Sequence, residues 1–274
     1  MKLIPESADL SDYLNETEII DFSNPGIKAV SEKLNQEASG KTDLMKRIYD
    51  FVRDEISHSA DIGGRIVTLK ASDVLKEKQG ICFAKSHLLA ALYRLNGIPA
   101  GFCYQKLILD NETVQNDTAP VLIIHGLCGV YFENDDKTGG WVRLDPRGNK
   151  EGVDAQFSLN PNEEKTAFIA RPELGETDFH TIYVNPAPEV VRALTENKTC
   201  DGLWENLPTE IYGKSNEDKP INEDKPINED KPINENETIK ENESANEDET
   251  ENKNEENKSG NKNKNGWENI CKRC

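Results

Sequence analysis

Gly80-Ile81-Cys82-Phe83-Ala84-Lys85-Ser86-His87-Leu88-Leu89-Ala90-Ala91-Leu92-Tyr93-Arg94-Leu95-Asn96-Gly97-Ile98-Pro99 sets a cysteine just inside the start of a helix. Leu88, Leu89, Leu92 and Leu95 recur at helical spacing, Asn96-Gly97 supplies a left-handed stop, and Pro99 prevents continuation. The amino end of such a helix directs unpaired N–H groups and a partial positive charge at its first turn, which favours a thiolate over a thiol. Cys82 lies there. Taken alone, a cysteine in this place also reads as a small buried residue filling a tight helix start. The residues downstream change that weighting.

Working outward, Asn24-Pro25 reads as an N-cap with proline at the first helical position, and Ile27, Val30 and Leu34 form an apolar stripe behind it. A second helix is expected from about residue 42 to 57, on Leu44, Ile48, Phe51, Val52 and Ile56. His58 falls at its end and reads as a surface residue without a role. Ser72 is expected to cap a short helix at 73–76, and Gly80 to let the chain turn tightly into the cysteine helix. After Pro99 the pattern becomes extended. Phe102, Tyr104 and Leu107-Ile108-Leu109 form one run, residues 121–132 a second and 140–145 a third, with loops at 110–118 and 134–139. The last two runs predict a hairpin. A further helix is expected from about residue 188 to 197, followed by a short piece at 203–211.

A thiol nucleophile needs a base, and the base needs an acceptor that fixes its tautomer. In a hairpin whose loop centres near residues 135–137, His125 and Asp145 fall opposite each other or within about two residues, on strands about 4.8 Å apart. Singly they read as a core histidine and as the starter of an Asp145-Pro146 turn. Together with Cys82 they compose the set that cysteine acyl transfer requires.

Composition bounds the rest. Residues 1–212 read as one globular domain, whereas 213–274 are Asn, Glu, Asp and Lys, with Asn-Glu-Asp-Lys-Pro-Ile repeated from Asn216, Asn222 and Asn228. That tail lacks the apolar surface needed to offset ordering and is expected to be disordered. The net charge of -18, with no basic patch, argues against a nucleic-acid partner. No apolar segment resembles a signal peptide or a membrane span, so a cytoplasmic protein without a membrane partner is expected. Six irregularly spaced cysteines predict free thiols.

Gly80-Ile81-Cys82-Phe83, the helix ending Asn96-Gly97-Ile98-Pro99-Ala100, His125 with Val130-Tyr131, and Gly140-Trp141-Val142-Arg143-Leu144-Asp145-Pro146 together resemble the transglutaminase-like superfamily over residues 48–148, its bacterial and archaeal members above all. The resemblance implies an α+β, papain-like core with the nucleophile at a helix N-terminus packed on an antiparallel sheet. It makes Cys82 the nucleophile, His125 the base and Asp145 the orienting carboxylate. Phe83 and Gly126 depart from the aromatic residues the family often carries beside its cysteine and histidine. For the oxyanion, the Cys82 N–H is one donor and Gln79 a candidate second. Asn134-Asp135-Asp136 is as good a loop as a calcium site, so neither metal nor cofactor is expected.

Cys103 and Cys128 read as core thiols, Cys128 on the strand face opposite His125, and His87 as turned away from Cys82. His180 falls in a late loop, and Cys271 and Cys274 have knuckle spacing without the further ligands a zinc site needs. Trp267 beside them is a candidate docking motif on the tail. The expected activity is cysteine-dependent acyl transfer on a peptide or protein amide, hydrolysis first and transamidation second. The alternative is a binding module that keeps the fold without turnover.

Overall fold

A computed structural model describes residues 1–109, 120–133 and 139–212. The tail repeats, Trp267, Cys271 and Cys274, and the loops at 110–119 and 134–138, lie outside the described residues.

Helix α1 (Pro25–Glu37) opens as its sequence predicts, with the Asn24 side chain accepting from the Gly26 N–H and Pro25 at the first position. Helix α2 (Lys41–Glu55) buries Leu44, Met45, Ile48, Tyr49 and Val52 on one face. Helix α3 (Ala71–Glu77) starts two residues earlier than a cap at Ser72 allows. Its N-cap is Lys70, and the Ser72 hydroxyl donates instead to Asp21, while the Ser72 N–H donates to the same carboxylate. The tight turn before the cysteine helix falls at Lys78, which adopts a left-handed φ of 50°. Gly80 has another job: a Cβ there would come within 3.1 Å of the Ala84 Cβ and of the Thr68 hydroxyl.

Helix α4 (Cys82–Leu95) is the centre of the molecule, buried on every side from Cys82 to Arg94, and it closes at Gly97 with φ 67°. Its buried polar side chains all face the chain's carbonyls or the core. Arg94 donates to the Ala100, Asn15 and Val184 carbonyls, Lys85 to those of Arg53, Ile56 and Arg147, and the His87 Nδ1 bonds the Leu69 carbonyl. Helices α1 to α3 and a four-stranded antiparallel sheet enclose it.

That sheet has the order β6-β5-β4-β7, from β4 (Ala100–Ile108), β5 (Leu122–Glu133), β6 (Gly139–Leu144) and β7 (Thr177–Asp178). The predicted hairpin is β5 and β6, with Cys128 opposite Leu144 and Glu133 opposite Gly139. Two short parallel pairs complete the strands: β1 (Ile4–Pro5) with β8 (Thr181–Ile182), and β2 (Ser57–His58) with β3 (Gln79–Gly80). Helices α5 (Pro188–Glu196) and α6 (Cys200–Glu205) close the described chain, the second falling slightly ahead of the expected 203–211. The fold is the expected α+β arrangement, a nucleophile helix on an antiparallel sheet. Among the described residues no helix is long and apolar enough to cross a membrane.

His58 does not lie on the surface. It is 3% exposed, because β2 turns inward at the end of α2 and pairs with β3. The apolar stripe of α2 ends before it, so periodicity carries no signal for its burial.

Candidate active site

The site forms where β6 stops. Along the β6-facing edge of β5, the ladder runs to Cys128 opposite Leu144. Beyond that point the Ile124 N–H donates to the Pro208 carbonyl at 2.8 Å, and the Gly126 N–H donates to the Cys82 sulfur at 3.4 Å. The amino end of α4 thus takes the place a longer β6 would occupy. The missing side chain at Gly126 makes that approach possible, since Phe83 packs directly on the Gly126 backbone.

His125 is 1% exposed and Asp145 wholly buried, and the His125 Nε2 bonds the Asp145 Oδ2 at 2.9 Å. Continuing the β5–β6 register by one step sets Asp145 against Leu127, two residues from His125, within the spacing the hairpin predicts. The Asp145 carboxylate also accepts the Ala167 N–H at 2.9 Å and the Arg147 N–H at 3.1 Å, and its carbonyl accepts the Tyr49 hydroxyl. Burial alone would raise its pKa, but the His125 ring and those two amides hold it below the usual carboxylate value. For His125 burial opposes protonation. The charges of Asp145 and Cys82, with the hydrogen bond to Asp145, outweigh it and raise the imidazole to about 10. Nε2 being taken by Asp145, Nδ1 is the nitrogen left for the sulfur.

The three residues are therefore brought together, as one constellation at the junction of α4, β5 and the end of β6. Gln79 is near in sequence but is not joined to them. Its Oε1 is buried against Gly64 without a hydrogen-bond partner, and its carbonyl accepts from the Thr68 hydroxyl. Cys103 and Cys128 are core thiols on opposite sides of the sheet, Cys128 packed toward α4 and Cys103 with Tyr13, Leu127 and Ile182. His87 is buried edge-on to Phe102. The four described cysteines Cys82, Cys103, Cys128 and Cys200 are all free. Among the described residues no group of three or more His, Cys, Asp or Glu is placed to hold a metal ion.

Several contributors escape sequence reasoning. Phe168 stacks edge-on against the His125 ring at 5.5 Å and roofs the His–Asp pair, with the Arg147 guanidinium over its ring at 5.9 Å. Arg147 is itself buried and forms an ion pair with Asp61. Lys85 does leave a trace in the sequence: a lysine one turn after the cysteine in a helix otherwise made of Ala, Leu and aromatic residues must bury its charge or bend the helix outward. A cavity of about 530 Å³ lies between α5 and residues 205–212 and is lined by none of the three site residues.

Residues 28–146 match the model of the transglutaminase-like superfamily. No curated protein matches the chain. Two solved structures are similar at low identity: a candidate cysteine protease of Cytophaga hutchinsonii, 18% identical with a TM-score of 0.40, covering 52% of this chain and 43% of that one. The other is the periplasmic domain of TgpA from Pseudomonas aeruginosa bound to ethylmercury, 16% identical with a TM-score of 0.35, covering 49% of this chain and 46% of that one. The chain thus spans less than half the length of either. The family match supports a cysteine-dependent enzyme in general terms. Residues 28–146, the stretch that matches the transglutaminase-like superfamily, hold α4, the β5–β6 hairpin and all three residues of the constellation.

Proposed function

We propose that the protein is a cysteine-dependent acyl-transfer enzyme acting on an amide of a peptide or protein. The Cys82 sulfur attacks the acyl carbon, the carbonyl electron pair moves to oxygen, and its return expels the amine, which takes its proton from His125. The thioester then passes its acyl group to water, deprotonated by the same imidazole, or to a second amine. Hydrolysis is the first reading and transamidation the second. One observation carries the proposal: a buried His125–Asp145 pair beside a sulfur that already receives the Gly126 N–H. Negative charge on that sulfur has a donor and a cation waiting for it.

A binding module is supported by a different observation, the 4% exposure of Cys82. Trapping decides between the two. Incubation with a peptide-amide library followed by intact-mass measurement should reveal an acyl adduct on Cys82, and added primary amine should divert product from acid to amide. A Cys82→Ala protein that retains full turnover on any substrate so found would end the acyl-enzyme reading. The cytoplasm remains our assignment of compartment, supported by four free buried cysteines, and the charge of -18 supports a role without nucleic acid. For residues 267–274 we retain the role of partner docking, on the strength of Trp267 in an otherwise polar tail.

A further inference from the structure

The strand pair β2–β3 sets one more polar residue across from the segment that leads into the nucleophile helix. His58 lies opposite Gly80, two residues ahead of Cys82, in a register locked by the Ser59 N–H donating to the Gly80 carbonyl at 3.1 Å and the Ser57 N–H donating to that of Lys78 at 2.9 Å. Paired strands run about 4.8 Å apart, so the His58 backbone lies beside Gly80, two residues before the first residue of α4. The residue is 3% exposed and both ring nitrogens are buried, yet neither Nδ1 nor Nε2 has a hydrogen-bond partner. An unpaired buried imidazole costs stability, and a polar group kept at that cost needs an explanation.

The surroundings supply one. The groups whose charges reach the ring are Arg147 from the turn after β6, Lys85 from α4, His125 from β5 and Lys150, all cationic when protonated. Together with burial they hold His58 neutral, with one N–H to donate. Arg147 and Lys150 already share Asp61 as counter-ion, so it is Lys85 and His125 that favour negative charge appearing in that space. Resting on the acyl-transfer reading above, we infer that His58 donates a hydrogen bond to the acyl oxygen that becomes negative when Cys82 attacks, as the partner of the Cys82 N–H at the open end of α4. In the resting enzyme the ring has no partner because its acceptor is the substrate's oxygen. Gln79, whose Oε1 is turned against Gly64, is then not needed for that role.

Two probes of the same thiol separate this role from a structural one. Acylation by p-nitrophenyl acetate forms the Cys82 sulfur–carbon bond as the carbonyl pair moves to oxygen, and that pair returns as p-nitrophenolate leaves. Alkylation by iodoacetamide displaces iodide at a saturated carbon and forms no oxyanion. His58→Phe should slow acylation by about 100-fold while changing alkylation less than about twofold. Its melting temperature should equal or exceed that of the wild type, since a buried unpaired polar group has been removed. Should His58→Phe fail to fold, the pair His58→Gln and His58→Met makes the same comparison at similar side-chain length, the donor-bearing variant retaining the faster acylation. An equal fall in both rates, or no fall in acylation, overturns the assignment. A wild-type protein that is alkylated at Cys82 but never acylated fails differently: it removes the acyl-transfer reading, and the role of His58 with it.

Discussion

The Gly126 N–H donates to the Cys82 sulfur at 3.4 Å because β6 ends two residues short of covering it. The contact depends on glycine. A Cβ at 126 would fall 2.5 Å from the Phe83 Cδ1 and 3.2 Å from the Phe83 Cα, so any side chain there pushes back the residue adjoining the nucleophile. Gly126→Ala is expected to cost about 1 to 3 kcal/mol of stability, as overpacking does, and to slow Cys82 alkylation because the donor and the sulfur separate. Chemical denaturation and labelling kinetics on the same protein measure both. An unchanged labelling rate would show that the amide does not act on the sulfur.

Thiol selectivity follows from the same geometry. Burial raises Cys128 to about 12 and pushes Cys103 well above the ordinary thiol value, whereas Cys82 has an N–H donor and an imidazolium beside it. Iodoacetamide at pH about 6 should therefore mark Cys82 well ahead of the other two, as read by peptide mass spectrometry. Equal slow labelling of all three would count against a nucleophilic Cys82.

The Asp145 carboxylate is a principal cause of the raised His125 pKa, so Asp145→Asn should lower it. In the rate, the alkaline limb of the pH profile should move to lower pH with loss of turnover, reporting an imidazole that surrenders its proton sooner. In stability, His125 is raised from 6.5 toward 10, so its contribution is full below about pH 6.5 and is lost as pH rises through 10. Asp145 is lowered from 3.8, so its contribution is present above that value and lost as pH falls. The stability gap between wild type and Asp145→Asn should accordingly be widest between about pH 4 and 6.5 and narrow toward pH 10. A gap independent of pH would contradict the pairing.

Lys85 gives a prediction of the opposite sign. Burial first, and the charge of Arg147 second, lower it from 10.5 to about 7. Between those values the unfolded chain binds the extra proton, so this residue makes stability rise with pH. Lys85→Met should remove that rise and leave the Arg53, Ile56 and Arg147 carbonyls without their shared donor, at a cost of about 3 kcal/mol or more. Urea unfolding at pH 7 and pH 10 tests both parts.

Truncation after Tyr212 is expected to leave the melting temperature and small-substrate turnover unchanged, since residues 213–274 carry no apolar face to contribute to a core. A fall of several degrees would withdraw that boundary.

Elements whose signal is local can be read from adjacent residues alone. The apolar spacing and Asn96-Gly97 stop of α4, the Asn24-Pro25 start of α1 and the β5–β6 hairpin are each written in a few adjacent residues, because helix ends and turns obey short-range sterics and hydrogen bonding. The Cys82, His125 and Asp145 set was legible for the same reason: one residue sits at a helix start and two on a hairpin whose loop length constrains the register. What surrounds them depends on packing between distant segments. His58 looks like a surface residue until β2 pairs with β3, Phe168 reads as an aromatic tacked onto the core with nothing to say that it meets the imidazole, and Lys85 and Arg147 are ordinary cations until packing buries them. Burial and charge at a site are sums over segments far apart in the chain, and no local pattern encodes which distant segment will arrive to exclude water.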